Sequence, residues 1–291
     1  MGAEQAVVLI AGPTASGKSA LALQLARQRG GVVVNADSMQ VYAELSVLTA
    51  RPSQDDMQSV PHALYGYVSA TEPYSVARWL TDIAATIERC RAAGQCPVIV
   101  GGTGLYFTAL LGGLSPVPPV PADIRAHWRA VAAAAEPGEL HRRLLALDPE
   151  MAARLDPADN QRITRALEVM AATGRSLTDW QRQPGRPLLD PADTERIVVQ
   201  PPRAEIHARC DQRLDAMVEQ GALEEVGHLL KLALPPDAPA MRALGVPQFA
   251  AYLHGACTRD AAIMAAKLAT RQYVKRQETW LRHRMADWTK A

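Results

Sequence analysis

Gly12-Pro13-Thr14-Ala15-Ser16-Gly17-Lys18-Ser19 sets two glycines, a lysine and a serine in the spacing G-x-x-x-x-G-K-S. The apolar run Val7-Val8-Leu9-Ile10-Ala11 precedes it, and Ala20-Leu21-Ala22-Leu23-Gln24-Leu25-Ala26 follows. Strand, glycine loop and helix in that order form a phosphate cradle. Glycine permits the backbone angles that turn successive N–H groups toward one anion. A helix starting near Lys18 adds its positive end, Lys18 reaches a terminal phosphate, and the Ser19 hydroxyl can hold Mg²⁺. The competing reading is a flexible strand-to-helix turn. Both flanks being correct favours a phosphorylated ligand.

Asp37 closes the segment Gly31-Val32-Val33-Val34-Asn35-Ala36-Asp37. Beside a phosphate loop, this carboxylate could bind Mg²⁺, act as a general base toward an incoming nucleophile, or cap the next element. The apolar run at 97–100 ends in glycines, where many nucleotide hydrolases carry their acid, and this argues against an ordinary ATPase. Thr103, in Gly101-Gly102-Thr103-Gly104-Leu105-Tyr106, offers a hydroxyl to a departing phosphate oxygen or is simply a turn residue.

Cationic residues fall in three places. Arg203, Arg209 and Arg213 follow a late apolar run, where an arginine can reach over the phosphates of the loop. Asn160-Gln161-Arg162-Ile163-Thr164-Arg165-Ala166-Leu167-Glu168 opens a helix whose Ile163, Leu167 and Met170 form a buried stripe, with Gln161, Arg162 and Arg165 on a more polar side. Lys267, Arg271 and Lys275 share one row of a later helix. Such clusters are either solvated faces or RNA contacts. None of the seven histidines has metal-ligand company.

The elements that must position these groups alternate β and α from residue 7 to about 114: strands at the phosphate loop, at 31–37 and at 96–100, with a helix over 75–93. Ligands of open α/β sheets lie beyond the carboxyl ends of strands, so the loop, Asp37 and Thr103 should converge. Pro116-Val117-Pro118-Pro119-Val120-Pro121 then predicts a stiff extended connector. Helices follow at 122–135, 139–147 and 160–173, and the next strand is Arg196-Ile197-Val198-Val199-Gln200. Helices at 203–220, 222–233 and 260–284 close the chain. The expected fold is α/β: a P-loop kinase-like parallel sheet flanked by helices, with an inserted small all-helical domain. Residues 1–114 begin the core, 115–195 form the insertion, and 196–291 return to the core.

Composition narrows the classes. The chain has 291 residues, 48% of them hydrophobic but only 5% aromatic, so aliphatic and alanine packing must dominate the core. A formal charge of +1 means that any nucleic-acid contact relies on segregated charge. Cys90, Cys96, Cys210 and Cys257 form no C-x-x-C pair and suit a reducing compartment. The first ten residues lack a basic leader and no apolar run reaches membrane length, so a cytoplasmic, monomeric protein is expected.

Taken together, the motifs resemble the bacterial tRNA dimethylallyltransferases, also called tRNA isopentenyltransferases. The resemblance spans nearly the whole chain: Gly12–Ser19, Asp37-Ser38-Met39-Gln40-Val41-Tyr42, Gly101–Tyr106, Gln161–Val169, Arg209–Met217, Ala243–Gln248 and Thr270–Trp280. It implies transfer of a dimethylallyl group from its diphosphate to N6 of the adenosine 3′ to the anticodon of tRNA. The phosphate loop would then hold a leaving diphosphate through Gly12, Pro13, Thr14, Ala15, Ser16, Gly17, Lys18 and Ser19, with Mg²⁺ on Ser19. Asp37 would take the N6 proton, Thr103 would stabilise the departing diphosphate, and Arg213 would meet the developing charge. The adenine must leave its stack to react. Asp37, Ser38, Met39, Gln40, Thr103, Gln161, Arg162, Ile163, Thr164, Arg165 and Arg242 match segments that contact tRNA in the family. Arg125 is a further candidate.

Two segments depart from the family pattern. Ala43–Pro52 replaces the usual Gly-Met-Asp-Ile-Gly-Thr-Ala-Lys-Pro run, and His62-Ala63-Leu64-Tyr65-Gly66 replaces His-His-Leu-Ile-Asp. Three other readings fit the phosphate loop: a small-molecule kinase, an isopentenyltransferase acting on free adenine nucleotides, and an RNA-binding nucleotide switch. The first leaves the helical insertion and the Gln161–Arg165 segment without a purpose.

Overall fold

The computed structural model describes residues 6–291. Residues 1–5, half of the stretch expected to lack a basic leader, lie outside the described residues. The strands are β1 (Val7–Ala11), β2 (Val32–Asn35), β3 (His62–Ala63), β4 (Pro97–Gly101), β5 (Thr194–Val198) and β6 (Thr289–Lys290). The helices are α1 (Lys18–Arg29), α2 (Gln54–Ser59), α3 (Val76–Ala92), α4 (Gly104–Gly112), α5 (Ala122–Ala134), α6 (Glu139–Leu147), α7 (Pro149–Arg154), α8 (Asn160–Thr173), α9 (Leu177–Gln181), α10 (Arg203–Glu219), α11 (Ala222–Lys231), α12 (Val246–Leu253) and α13 (Arg259–Arg284).

The described residues divide into a core unit, residues 6–111 with 188–291, and a helical unit, residues 112–187. In the core, six strands form one sheet in the order β3-β2-β4-β1-β5-β6, every pair parallel. The central strands read as continuous aliphatic runs because both faces are covered. Successive residues of β1 alternate between two cores. Val7, Leu9 and Ala11 pack with Trp79, Ile83, Phe107 and Trp288, while Val8 and Ile10 pack with Ala22 and Ala26 of α1. A third cluster joins α10 to α13 with the segment at 41–50, through Tyr42, Leu45, Leu214, Val226 and Phe249.

The helical unit has its own core, in which Leu140, Leu144, Met151, Ile163, Leu167 and Leu177 meet, with Ile124 and Trp128 of α5 packed against them. Arg154 of α7 donates to Thr178 of α9 at 3.2 Å, a polar tie between the unit's two shortest helices.

Several boundaries differ from those expected. The sequence places the end of the insertion at 195, yet Leu188 and Leu189 already donate to the carbonyl of Leu110 (2.9 and 3.2 Å), and β5 begins at Thr194. Thr194 and Glu195 carry no hydrophobic signal, because they join β1 by backbone register. The strand at 62–63 has no sequence signature, because two residues are too few to show a period. The strand at 97–101 is therefore the fourth, not the third. Helices α7, α9 and α12 span only five to eight residues each, below the length at which periodicity is legible.

Candidate active site

The phosphate loop leaves β1 and closes on α1. Gly12 is obligatory, since a Cβ there would lie 2.7 Å from both the Ser16 hydroxyl and the Val199 carbonyl. Gly17, with φ +94°, caps α1 in the left-handed region. Ala15 also takes that conformation at φ +61°, so the loop's shape is not carried by glycine alone. Residues 15–19 line a cavity of about 340 Å³, and Arg209 and Arg213 of α10 complete it. The arginines expected to reach over the loop therefore do so, apart from Arg203, which pairs with the buried Glu278 at 2.6 Å.

Electrostatics inside the cradle are tense. Burial lowers the Lys18 ammonium to about 8, the Asp37 carboxylate pulls against that fall, and Arg213 deepens it. Burial likewise depresses Arg213. Lys18 donates to the Pro13 carbonyl at 3.1 Å, and Arg213 donates to the Thr14 hydroxyl. Two cations facing one cavity destabilise each other until an anion arrives. The Ser16 hydroxyl is buried without a protein partner, as a donor awaiting a ligand oxygen would be.

Asp37 and Thr103 sit together at the adjoining ends of β2 and β4. Asp37 Oδ1 accepts the N–H of Met39 at 2.9 Å, while Oδ2 lies beside Gly102, 3.7 Å from where a Cβ would stand. One oxygen thus shapes the turn and the other faces the loop end. Thr103 Oγ1 accepts the N–H of Ser38 at 3.0 Å and donates to its hydroxyl at 3.3 Å. A Cβ at Gly102 would strike Gln277 Nε2 at 2.4 Å, so any side chain there displaces that glutamine. The expected convergence is present, although the cavity itself is walled by the loop and α10 alone.

Two RNA candidates beside Asp37 are committed internally. Gln40 Nε2 donates to the carbonyls of Thr49 and Ala50 (2.9 and 3.0 Å), and the Met39 side chain packs into the cluster with Tyr42. Both hold the divergent segment. Glu225 of α11 holds it too, receiving the backbone N–H groups of Ser46, Val47 and Leu48 between 2.6 and 2.9 Å. Arg51 reaches the carbonyls of Tyr42 and Ala43 at 3.3 Å and packs against Gly66. Arg242 is exposed on the core unit, at the end of a short turn next to the buried Ala243.

Within the helical unit, Gln161 and Arg162 are exposed and Arg165 is partly so. Arg162 pairs with Asp159 and Arg165 with Glu168, both at 3.4 Å. Ile163 must be withdrawn as an RNA contact: it is 0% exposed in the unit's core. Thr164 is 9% exposed and spends its hydroxyl on the Asn160 carbonyl at 2.7 Å. Both have the wrong helical phase for the surface. Arg125 donates to the Val120 carbonyl at 3.3 Å, closing the proline-rich connector onto α5.

Gln277 is a site residue that the charges around it hide in the sequence. Its Oε1 accepts the N–H of Thr14 and its Nε2 donates to the Gly102 carbonyl, both at 2.9 Å. The readable signal was a glutamine in the stripe Thr270, Val274, Gln277, Leu281, otherwise the buried face of α13.

A parallel sheet, a phosphate loop between β1 and α1, and a carboxylate at the next strand end define a P-loop α/β protein built to bind a diphosphate or nucleotide. The family model for IPP transferase matches residues 40–284, and that for isopentenyl transferase matches residues 5–65. The chain is 54% identical over 280 residues to a tRNA dimethylallyltransferase of Rhizobium leguminosarum bv. trifolii, covering 96% of this chain and 94% of the relative. It is 53% identical over 284 residues to one of Agrobacterium fabrum (97% and 95%). Among solved structures, the full-length tRNA isopentenylpyrophosphate transferase of Bacillus halodurans aligns at TM-score 0.71 and 31% identity, covering 99% of this chain and 90% of that one. A eukaryotic dimethylallyltransferase acting on tRNA aligns at 0.79 and 28% (95% and 70%). The chain belongs to the tRNA dimethylallyltransferase family of prenyl-transferring enzymes.

Proposed function

We propose that this enzyme transfers the dimethylallyl group of dimethylallyl diphosphate to N6 of the adenosine 3′ to the anticodon of tRNA. The carrying observation is the cation-walled cavity of residues 15–19 with Arg209 and Arg213, electrostatically coupled to Asp37 through Lys18. The bond from the allylic carbon to the diphosphate oxygen breaks, and its electron pair leaves with the diphosphate. Lys18, Arg213 and the loop amides meet the charge as it develops. The N6 lone pair closes on the allylic carbon, and Asp37 removes the N6 proton. Thr103 holds Ser38 in place beside Asp37, and its hydroxyl proton would turn from Ser38 to the departing diphosphate.

The donor set suits Mg²⁺ carried on the diphosphate. Among the described residues no group of three His, Cys, Asp or Glu side chains gathers to hold a metal alone. Ser19 offers the single protein oxygen that Mg²⁺ would take beside phosphate and water. When bound, the ion would neutralise charge on the departing diphosphate.

The helical unit and Arg242 are proposed to engage the anticodon stem-loop, chiefly through Gln161, Arg162 and Arg165. We place the enzyme in the cytoplasm as a monomer. Its four cysteines are free, and no helix of the described residues is long and apolar enough to cross a membrane.

Incubating the enzyme with labelled dimethylallyl diphosphate and, in parallel, unmodified tRNA, AMP or ATP tests this reading. Label is expected in tRNA alone. Label in AMP or ATP would move the acceptor to free nucleotides. Phosphate transfer from ATP without prenylation would make the protein a kinase.

A further inference from the structure

We propose that Asn35 is the positioning residue of the catalytic base, fixing where the Asp37 carboxylate stands; this rests on Asp37 being that base. Asn35 ends β2 after Val32, Val33 and Val34, and it is 0% exposed. A fourth aliphatic residue would bury there without loss, whereas an amide requires partners for every polar group. It has them. Oδ1 accepts the N–H of Asp37 at 2.8 Å, and Nδ2 donates to the Asp37 carbonyl at 2.9 Å and to the Leu64 carbonyl at 3.0 Å. Oxygen faces a donor and nitrogen faces two acceptors, so the orientation of the amide is fixed.

The result is a clamp on both sides of one residue. The backbone N–H and C=O of Asp37 are held by the same side chain, and the third bond ties that side chain to Leu64, which stands at φ +65° beside β3. The clamp is itself anchored, since the indole of Trp79 donates to the Asn35 carbonyl at 3.0 Å. With the backbone of Asp37 immobile, its carboxylate has only its own side-chain torsions to choose from. Oδ1 is then fixed by Met39, and Oδ2 remains beside Gly102.

The charged and titratable neighbours are Lys18 of α1, Arg213 of α10, and the tyrosines 65, 106 and 273, all of which sense or are sensed by Asp37. Burial pushes the three phenols well above their usual range, and Lys18 stands at about 8. His62 lies edge-on to Tyr65 and is common to the wild type and every variant. In a ratio of variant to wild type between pH 5.5 and 7.5, the new feature of Asn35→Asp is therefore its own carboxyl. That carboxyl would point an oxygen at the carbonyls of Asp37 and Leu64. Ionised, it repels both; protonated, it donates to one and restores part of the clamp.

The test is single-turnover prenylation of tRNA by wild type, Asn35→Ala, Asn35→Asp and Asp37→Asn across that range, with inorganic diphosphate binding measured by calorimetry. A misplacement of about 1 Å is worth roughly 10²-fold in rate, so Asn35→Ala should lose about that factor in kcat with donor KM and diphosphate affinity unchanged. Asn35→Asp should recover toward acid pH, its ratio to wild type rising about tenfold, the sensitivity of a group that changes ionisation over one pH unit. A merely electrostatic effect has the opposite sign, because a second carboxylate would favour protonated Asp37 and deepen the loss at low pH. A flat ratio, a deepening loss, or diphosphate binding lost together with turnover would overturn the proposal. An Asp37→Asn enzyme at the wild-type rate would instead remove Asp37 as the base.

Discussion

The side-chain oxygen of Gln277 accepts the backbone N–H of Thr14 at 2.9 Å, across 263 positions of sequence. The last long helix is thereby bonded to the phosphate loop, and through Nε2 of the same side chain to Gly102 beside Thr103. Loop and catalytic strand end share one fastening.

Gln277→Leu keeps the volume and removes both bonds, leaving the part-buried Thr14 N–H and Gly102 C=O without this partner. We expect a stability loss of about 1–3 kcal/mol, read by urea denaturation. The donor KM should rise about tenfold, equivalent to 1.4 kcal/mol of binding. Unchanged donor binding would mean that the loop keeps its shape unaided.

Lys18 predicts a proton uptake. Its folded value of about 8 lies below the ordinary 10.5, so the free protein gives up this proton as pH rises through 8. A bound diphosphate restores the charge. Binding should take up almost no proton at pH 7 and a substantial fraction of one at pH 9, and affinity should fall above pH 8. Calorimetry in buffers of two ionisation enthalpies measures this. By the same sign, the charged lysine opposes folding below pH 8 and ceases to do so as pH rises from 8 to 10.5. Lys18→Met should therefore abolish transfer, yet melt no lower than wild type at pH 7 without ligand.

Asp37→Ala should lower single-turnover rates by about 10²–10⁴-fold, the usual contribution of a general base, with tRNA affinity changed little. Thr103→Val should act more mildly, since its hydroxyl works partly through Ser38. A fall below tenfold for Asp37→Ala would reduce that carboxylate to its turn-forming bond with Met39.

Arg162 and Arg165 should separate. Arg162 has a side chain 73% exposed, so Arg162→Ala should weaken tRNA binding and flatten its salt dependence by about 0.7–0.9 in log–log slope if one phosphate contact is lost. Arg165 faces Glu168, whose side chain is 8% exposed, so Arg165→Ala strands a buried carboxylate and should also lower the melting temperature. Filter binding across salt and thermal melts of both variants check this. Equal melting of the two would deny Arg165 its structural share.

What the sequence determined by itself was whatever one short stretch of backbone decides. The spacing of Gly12, Gly17, Lys18 and Ser19 yields the cradle because its N–H groups belong to consecutive residues. The periods of 139–147 and 160–173 yield α6 and α8 with the expected bounds, since a buried stripe recurs within each helix. Tertiary structure decided what depends on distant partners. Gln277 reads as one polar residue among many until α13 packs against the loop. Glu225 reads as an ordinary helical charge until the divergent 46–48 segment turns three N–H groups onto it. Ile163 and Arg162 are neighbours in a motif, and only the packing of α8 turns one inward and leaves the other exposed. A hydrogen bond forms over a few tenths of an ångström. Local pattern fixes which face of an element is buried, but the register between packed elements, which brings a donor to its acceptor, is set by the fit of whole surfaces.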